Sequence, residues 1–277
     1  MDEKQTLLIN AQQGDITAFH QLFAEFQEPL RSYLYRLTAN RGDAEDLTHD
    51  AFVRAFDKLT TFQSKSTLKT WVFTRATNLA MNLLQKRKRW PVDAQDQSKR
   101  ASVSSPEIFQ TYLYLNQYSP NGTYEMREHI DFCFTCIAKT LPIEQQIVLL
   151  LKDVYEFRIK EIVAIMDKSM GSVQHLLHNA RKTMHAIFDQ RCALINKQGV
   201  CYQCTELNGI FNPKQEAQAA LAEIELVQAA EDEKEDLFEL RTKLVRSIDP
   251  LNAEGADLHD FIMQRIRKVV GEVTEPK

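Results

Sequence analysis

Five cysteines, Cys133, Cys136, Cys192, Cys201 and Cys204, are the residues of this 277-residue chain whose type and spacing could do chemistry directly. Four of them form two C-x-x-C pairs, in DFCFTCIA and GVCYQCTE. Two thiolates three positions apart can grip one soft cation, and four complete the tetrahedral shell that zinc takes in structural sites. Gly199, just ahead of Cys201, permits the tight turn of a zinc knuckle. Cys133 and Cys136 fall at i and i+3 of an expected helix and share a face. The spacing allows one zinc at Cys133, Cys136, Cys201 and Cys204, with Cys192 as a substitute ligand. It equally allows a local knuckle at Cys201 and Cys204, or a thiol switch. Phe132, Phe134 and Ile137 around the first pair suit a reading of Cys133 and Cys136 as core residues. No nucleophile triad, phosphate loop or catalytic carboxylate pair occurs, so the chain reads as a non-enzyme that requires no cofactor.

The second candidate chemistry is charge recognition, concentrated between Gly42 and Arg89. The run GDAEDLTHDAFVRAFDKL places Leu47, Ala51, Ala55 and Leu59 at helical spacing. Asp43, Glu45, Asp46 and Asp50 lie mostly off that stripe, and Asp43 is the expected helix cap. After the polar break TTFQSKST comes LKTWVFTRATNLAMNLLQKRKR. There Leu68, Trp71, Val72, Ala76, Leu79, Ala80 and Leu83 form the apolar stripe, and the helix runs out into Lys86-Arg87-Lys88-Arg89. An acidic helix and a basic helix thus flank a loop suited to holding a ligand.

The elements that must position these residues are helices throughout. Eight glycines and helical periodicity along most of the chain predict an all-α fold. Asp15 is the expected N-cap of a helix whose stripe is Ala18, Phe19, Leu22, Phe23 and Phe26, and Pro29 fits the first turn of another. From Trp90 to Thr123, Pro91, Pro106 and Pro120 with several serines mark a linker, interrupted by a brief helix at IFQTYLYL. From 129 to 189, a helix EQQIVLLLKDVY, a short helix at 159–166, a turn at 167–171 and a long helix to about 188 make a helix-turn-helix. On that last helix Val173, Leu176, Leu177, Ala180 and Met184 face inward. Ser172, Gln174, His175, His178, Asn179 and Arg181 face outward.

The order D-A-E-D-L-T, A-F, K-T-W and A-x-N-L-A before a basic cluster resembles the core region of bacterial RNA polymerase sigma factors of the extracytoplasmic-function (ECF) group. The opening Q-x-G-D-x-x-A-F-x-x-L-F is similar to the start of such factors. The second half resembles their −35-reading domain through L-P, L-K-D-V, K-E-I, G-S-V, L-H and A-R-K. The resemblance implies that Asp43, Glu45, Asp46 and Asp50 face the clamp coiled coil of the polymerase's largest subunit. Phe62, Gln63, Ser64, Lys65, Ser66 and Thr67 would form the loop that captures a flipped base of the −10 element. Lys69, Trp71, Arg75, Lys86, Arg87, Lys88 and Arg89 would help hold the opened strand. Ser172, Gln174, His175, His178, Arg181 and Lys182 would face the −35 element. The implied partners are core RNA polymerase, promoter DNA and an anti-sigma factor. The sequence departs from the family where Gln174, Leu177 and Asn179 replace basic residues, which implies fewer phosphate contacts. Two other classes stay open: a metal- or redox-responsive helix-turn-helix regulator, and a polymerase-binding decoy similar to an anti-sigma factor.

Charge divides along the chain. Residues 1–100 carry a net +3, residues 101–191 a net −1 and residues 192–277 a net −6. A mildly basic front suits a protein that touches DNA while a partner supplies most of the affinity. The start MDEKQTLL lacks the look of a signal peptide, and Ile147 to Leu151 is too short to span a bilayer, so the expectation is a cytoplasmic chain with no membrane insertion. The expected units are 1–90, a linker at 91–128, a helix-turn-helix unit at 129–191 and an extension at 192–277. In the extension, helices are expected at about 214–232, 235–248 and 256–270. Their stripes are Leu237, Leu240, Leu244 and Ile248, then Leu258, Phe261, Ile262 and Ile266. These helices pack on one another or form an acidic lid over the basic surface.

Overall fold

A computed structural model describes residues 3–121, 126–191 and 237–272, and among them the fold is all-α with no strand. The first bundle comprises α1 (Glu3–Gln12), α2 (Ile16–Thr38), α3 (Arg41–Asp57) and α4 (Leu68–Leu84). Asp15 caps α2 by accepting from the amides of Thr17 and Ala18. Pro29 does not open a new helix, because α2 runs through it. Proline removes one i to i−4 bond. Pro29 is exposed, so the freed carbonyl can face water, while Phe26, Leu30, Tyr33, Leu34 and Leu37 carry the buried stripe past it. The chain leaves α2 through Ala39, held left-handed at φ 56° with its amide donating to the Tyr35 carbonyl.

Residues 91–128 are more structured than their prolines and serines suggest. They contain α5 (Ala94–Val103) and α6 (Pro106–Tyr118). Pro106 sits in the first turn of α6, where no amide is needed. Ser98 and Ser102 are buried, and Ser102 shares a hydrogen bond with Tyr112.

The second unit has α7 (Met126–Ala138), α8 (Ile143–Leu149), a π-helical turn at Leu150–Val154, α9 (Ile159–Met166) and α10 (Met170–Arg191). The widened turn brings Asp153 and Tyr155 round toward α10 and α2 respectively. Asp167 ends α9 in the left-handed region at φ 50°. Met170 and Gly171 are already helical rather than part of the turn, because the Ser169 hydroxyl caps α10 by accepting from the Ser172 amide. Val173, Leu177, Ala180 and Met184 are buried as their spacing predicts.

Two tail helices follow, α11 (Leu237–Ser247) and α12 (Ala256–Val269). They pack on the rest of the protein instead of forming a hairpin with each other. α11 lies on α7 and the π-helical turn, and α12 lies on α5, α6 and α7. The α11 stripe is Phe238, Arg241, Thr242 and Val245, one position on from the expected leucines. Within that stripe the Arg241 guanidinium stacks on the Phe188 ring at 3.9 Å, which lets a charged residue sit on the buried face. One apolar core runs continuously through both bundles. A second joins Trp90, Ala94 and Tyr112 to Phe132 and Cys136 of α7 and to Leu258, Ile262, Met263 and Ile266 of α12. No described helix is long and apolar enough to cross a membrane.

Candidate functional site

The acidic helix α3 is capped by Asn40, whose side chain accepts from the Asp43 amide at 2.7 Å. Asp43 therefore lies within the first turn of the helix and is not the cap. Its carboxylate is already engaged: Arg87 donates to both oxygens at 2.6 and 3.0 Å, and Arg267 of α12 donates at 3.3 Å. Glu45, Asp46 and Asp50 are exposed and form an open acidic face.

The loop between α3 and α4 has a fixed base and a displayed tip. Phe62 is buried against Trp71, with ring centroids 5.2 Å apart. Gln12 of α1 donates to the carbonyls of Leu59 and Phe62, both at 3.2 Å. Thr67 caps α4 by accepting from the Thr70 amide. Between these anchors Gln63, Ser64 and Lys65 are exposed, Ser66 is half-buried, and Ser64 takes a left-handed φ of 53°. A turn pinned at both ends can present backbone and side-chain hydrogen-bonding groups without ordering cost on binding.

On α4 the Arg75 guanidinium lies 3.3 Å over the half-buried Trp71 ring, and burial lowers its pKa. Lys69 sits 4.8 Å from the Phe157 ring of the second unit. The basic run splits by face. Lys86 and Lys88 are exposed, whereas Arg87 turns to Asp43 and Arg89 donates to the Ala138 carbonyl and to Gln146 Oε1. Burial lowers the Arg89 pKa to about 10. The structure thus pairs Arg75 with Trp71, whose ring packs on Phe62 at the base of the loop, sets Lys69 against Phe73 and Phe157 instead, and turns Arg87 and Arg89 inward.

On α10, Ser172, Gln174, His175, His178 and Lys182 are exposed. His175 and Asn179 are within 3.3 Å of each other. Arg181 is solvent-facing but donates to both oxygens of Asp153. α9 packs across α4, and the Thr70 hydroxyl donates to Glu161 Oε1 at 3.2 Å. The short helix of the second unit therefore covers part of the helix that carries the loop.

Cys133 and Cys136 are buried on α7; Cys133 joins the main core and Cys136 the second, where its thiol lies 3.6 Å from Met263 Sδ. Cys192, Cys201 and Cys204 lie outside the described residues, as does the helix expected at about 214–232. Among the described residues no group of three or more His, Cys, Asp or Glu could hold a metal ion.

Sequence reasoning passed over a set of buried polar residues. Arg36 is 1% exposed and donates to Asp131 Oδ1 (3.1 and 2.9 Å), Ser32 Oγ (2.7 Å), Tyr155 OH (2.6 Å) and the carbonyls of Val245 (3.1 Å) and Ile248 (2.8 Å). Lys139 donates to Glu272 at 3.0 Å and to the Thr38 carbonyl at 3.3 Å, and burial lowers its pKa to about 8. The signal available was a charge inside an apolar stripe: Arg36 in LYRLT, Asp131 in IDFCF and Lys139 in IAKTL.

Residues 22–90 match the family model for Sigma-70 region 2, and residues 132–184 match that for Sigma-70, region 4. The chain is 27% identical over 183 residues to the ECF RNA polymerase sigma factor SigG of Mycobacterium tuberculosis, an alignment that covers 63% of this chain and 49% of that protein. It therefore spans about half the length of those mycobacterial relatives. It is 27% identical over 180 residues to the ECF RNA polymerase sigma-E factor of Escherichia coli K12, covering 65% of this chain and 91% of that one. Similar solved structures include CnrH in complex with the cytosolic domain of CnrY (18% identity, TM-score 0.47, 68% of this chain and 98% of that one). Another is the sigma factor RpoE in complex with the anti-sigma factor NepR from Bartonella quintana (22% identity, TM-score 0.43, 61% and 96%). The chain thus carries a segment that matches Sigma-70 region 2 followed by one that matches region 4, and ECF RNA polymerase sigma factors are among its relatives.

Proposed function

We propose that this protein is a transcription initiation factor of the bacterial cytoplasm, which binds core RNA polymerase and directs it to −10 and −35 promoter elements. The observation that carries the reading is the pairing, within the segment matched to region 2, of an open acidic face with a pinned loop. Glu45, Asp46 and Asp50 supply the face, and Gln63, Ser64 and Lys65 the loop tip. The face takes the polymerase clamp. The loop tip receives an unstacked base, with the Trp71–Arg75 stack beside the single strand. On α10, Ser172, Gln174, His175, His178 and Lys182 meet the −35 major groove, where Gln174 suits an adenine edge. The protein performs no covalent step in this scheme. Few exposed cations on α10 mean that polymerase, rather than phosphate contact, supplies most of the affinity.

The test is promoter-dependent transcription by core polymerase on a fragmented genomic library of the host. Discrete new transcripts with this protein, lost in an Asp46→Asn, Asp50→Asn variant, are expected. Failure of the protein to co-elute with core polymerase would sink the assignment of the α3 face.

A further inference from the structure

The tail helices occupy the seam between the two sigma regions, and they occupy it with polar groups matched to residues of both. At the end of α11 the carbonyls of Val245 and Ile248 accept from Arg36 of region 2, whose other side grips Asp131 of α7. Ahead of α12 the amides of Glu254 and Gly255 donate to Glu128 of α7 at 3.0 and 2.6 Å. Arg41, in the first turn of α3, pairs with Asp257 at 2.9 Å. Past α12 the chain ends its described course at Glu272, whose carboxylate is fully buried. It accepts from Trp90 Nε1 at 2.6 Å and from Lys139 at 3.0 Å, with Arg267 at 3.6 Å and Arg87 at 3.9 Å. Arg267 also donates to Asp43. The one acidic residue of the α3 cluster that is not open to solvent is thus held by α12 and by Arg87. The same seam turns Arg87 and Arg89 away from solvent.

We propose that residues 237–272 are an intramolecular clasp, which locks regions 2 and 4 in one closed arrangement and withholds Asp43, Arg87 and Arg89 from core polymerase and DNA until it opens. This rests on the polymerase-binding reading of α3 given above. The clasp is an alternative occupant of surfaces that the initiation complex needs, so polymerase binding and tail docking exclude each other. A ligand that binds only the open state then binds with an affinity reduced by the fraction of chains that are open. Glu272 is the residue on which the clasp turns. It is the counter-charge to Lys139 and Arg267, and no described residue N-terminal to the tail supplies a carboxylate to Lys139.

The experiment uses the full chain and core polymerase, with affinity read by fluorescence anisotropy. Glu272→Gln keeps the side-chain shape and removes the charge. It is expected to bind polymerase at least tenfold more tightly than the wild type, and Asp46→Asn is expected to weaken binding in both backgrounds. Equal affinity of Glu272→Gln and wild type, with Asp46→Asn still weakening both, overturns the clasp and leaves the polymerase reading standing. No effect of Asp46→Asn in either background removes the polymerase reading and the clasp with it. A second measurement needs no variant. Amide hydrogen exchange of residues 256–269 in the wild type is expected to speed up at least tenfold when saturating core polymerase is added. Unchanged protection in the complex overturns the clasp.

Discussion

Arg36→Met should be among the most damaging single substitutions in the chain, and the structure sets its size. The guanidinium and the Asp131 carboxylate are 2% and 3% exposed. Removing one member of a buried ion pair leaves an uncompensated charge and costs about 3–5 kcal/mol. Ser32 and Tyr155 lose a donor but keep each other at 2.9 Å, so they add little. The Ile248 carbonyl loses its Arg36 donor as well. Against a typical domain stability of about 5–15 kcal/mol, the loss takes a large share. Arg36→Met with Asp131→Leu should recover most of it, because two apolar groups of similar size need no partner. The single variant also carries a pH signature. Burial already raises the Asp131 pKa while Arg36 lowers it. Without Arg36 the native carboxyl holds its proton to higher pH than the unfolded one does. The native state then binds more protons, so stability falls as pH rises. The penalty should accordingly be smaller near pH 5 than near pH 8. Urea unfolding followed by circular dichroism at both pH values measures all of this. A cost below about 1 kcal/mol for Arg36→Met, or no recovery in the double variant, would refute the argument that the pair is electrostatically matched.

Asn40→Ala should cost about 1 kcal/mol in the same assay, because it removes the side-chain cap of α3 at the Asp43 amide. Asp167→Gly should stabilise by about 0.5–1 kcal/mol, since Asp167 is exposed and held at φ 50° in the turn before α10. His259 stacks with Phe132 at 5.3 Å, and burial lowers its pKa from 6.5 to about 4. Between those values the unfolded chain binds the proton and the native chain does not. This contribution is complete above pH 6.5 and is lost as pH falls toward 4, by about 3 kcal/mol in all. Burial of His129 acts in the same direction, while the raised Asp131 and Asp260 act against it. The difference between wild type and His259→Gln isolates the imidazole, and a difference that is flat from pH 7 to pH 4.5 would contradict its burial in the neutral form.

The parts legible in the sequence were those where one helix carries its own evidence. In α3, α4 and α10 the apolar residues recur at helical spacing, and Leu47, Ala51, Val72, Ala76, Val173 and Ala180 are buried accordingly. Local punctuation failed wherever tertiary packing overrode it. Pro29 reads as a helix start, yet the core stripe on both sides of it keeps α2 continuous. Serines and prolines read as linker, yet Tyr112 and Trp90 seat α5 and α6 on a core shared with α12. The open part of the site, Glu45, Asp46, Asp50 and residues 63–65, was legible because its residues are local to two helices and their loop. The closed part was not. Arg36 meets partners 95, 119 and 212 positions away, and Lys139 meets Glu272 133 positions away. A lone sequence marks such residues only as charges in the wrong place.

Net charge misleads about the tail for a related reason. The excess of acid in residues 192–277 lies almost wholly ahead of α11, in a stretch that includes EDEKED at 231–236. Residues 237–272, which contact the sigma regions, carry six acidic and six basic residues. A lid held by diffuse acid over a basic surface would be screened by salt over about 8–10 Å at ordinary ionic strength. A clasp held by Glu272, with 0% side-chain exposure, on Lys139 at 1% is screened far less. Raising salt from about 0.05 M to about 0.5 M shortens the Debye length to below 5 Å and separates the two pictures. Amide exchange at residues 256–269 should stay within about twofold across that range, because buried contacts rather than the surface field hold the helix. Exchange that accelerates tenfold with salt would mean that the acid upstream of α11 holds the tail, and that the matched pairs at Arg36, Asp43 and Glu272 are not what closes the protein.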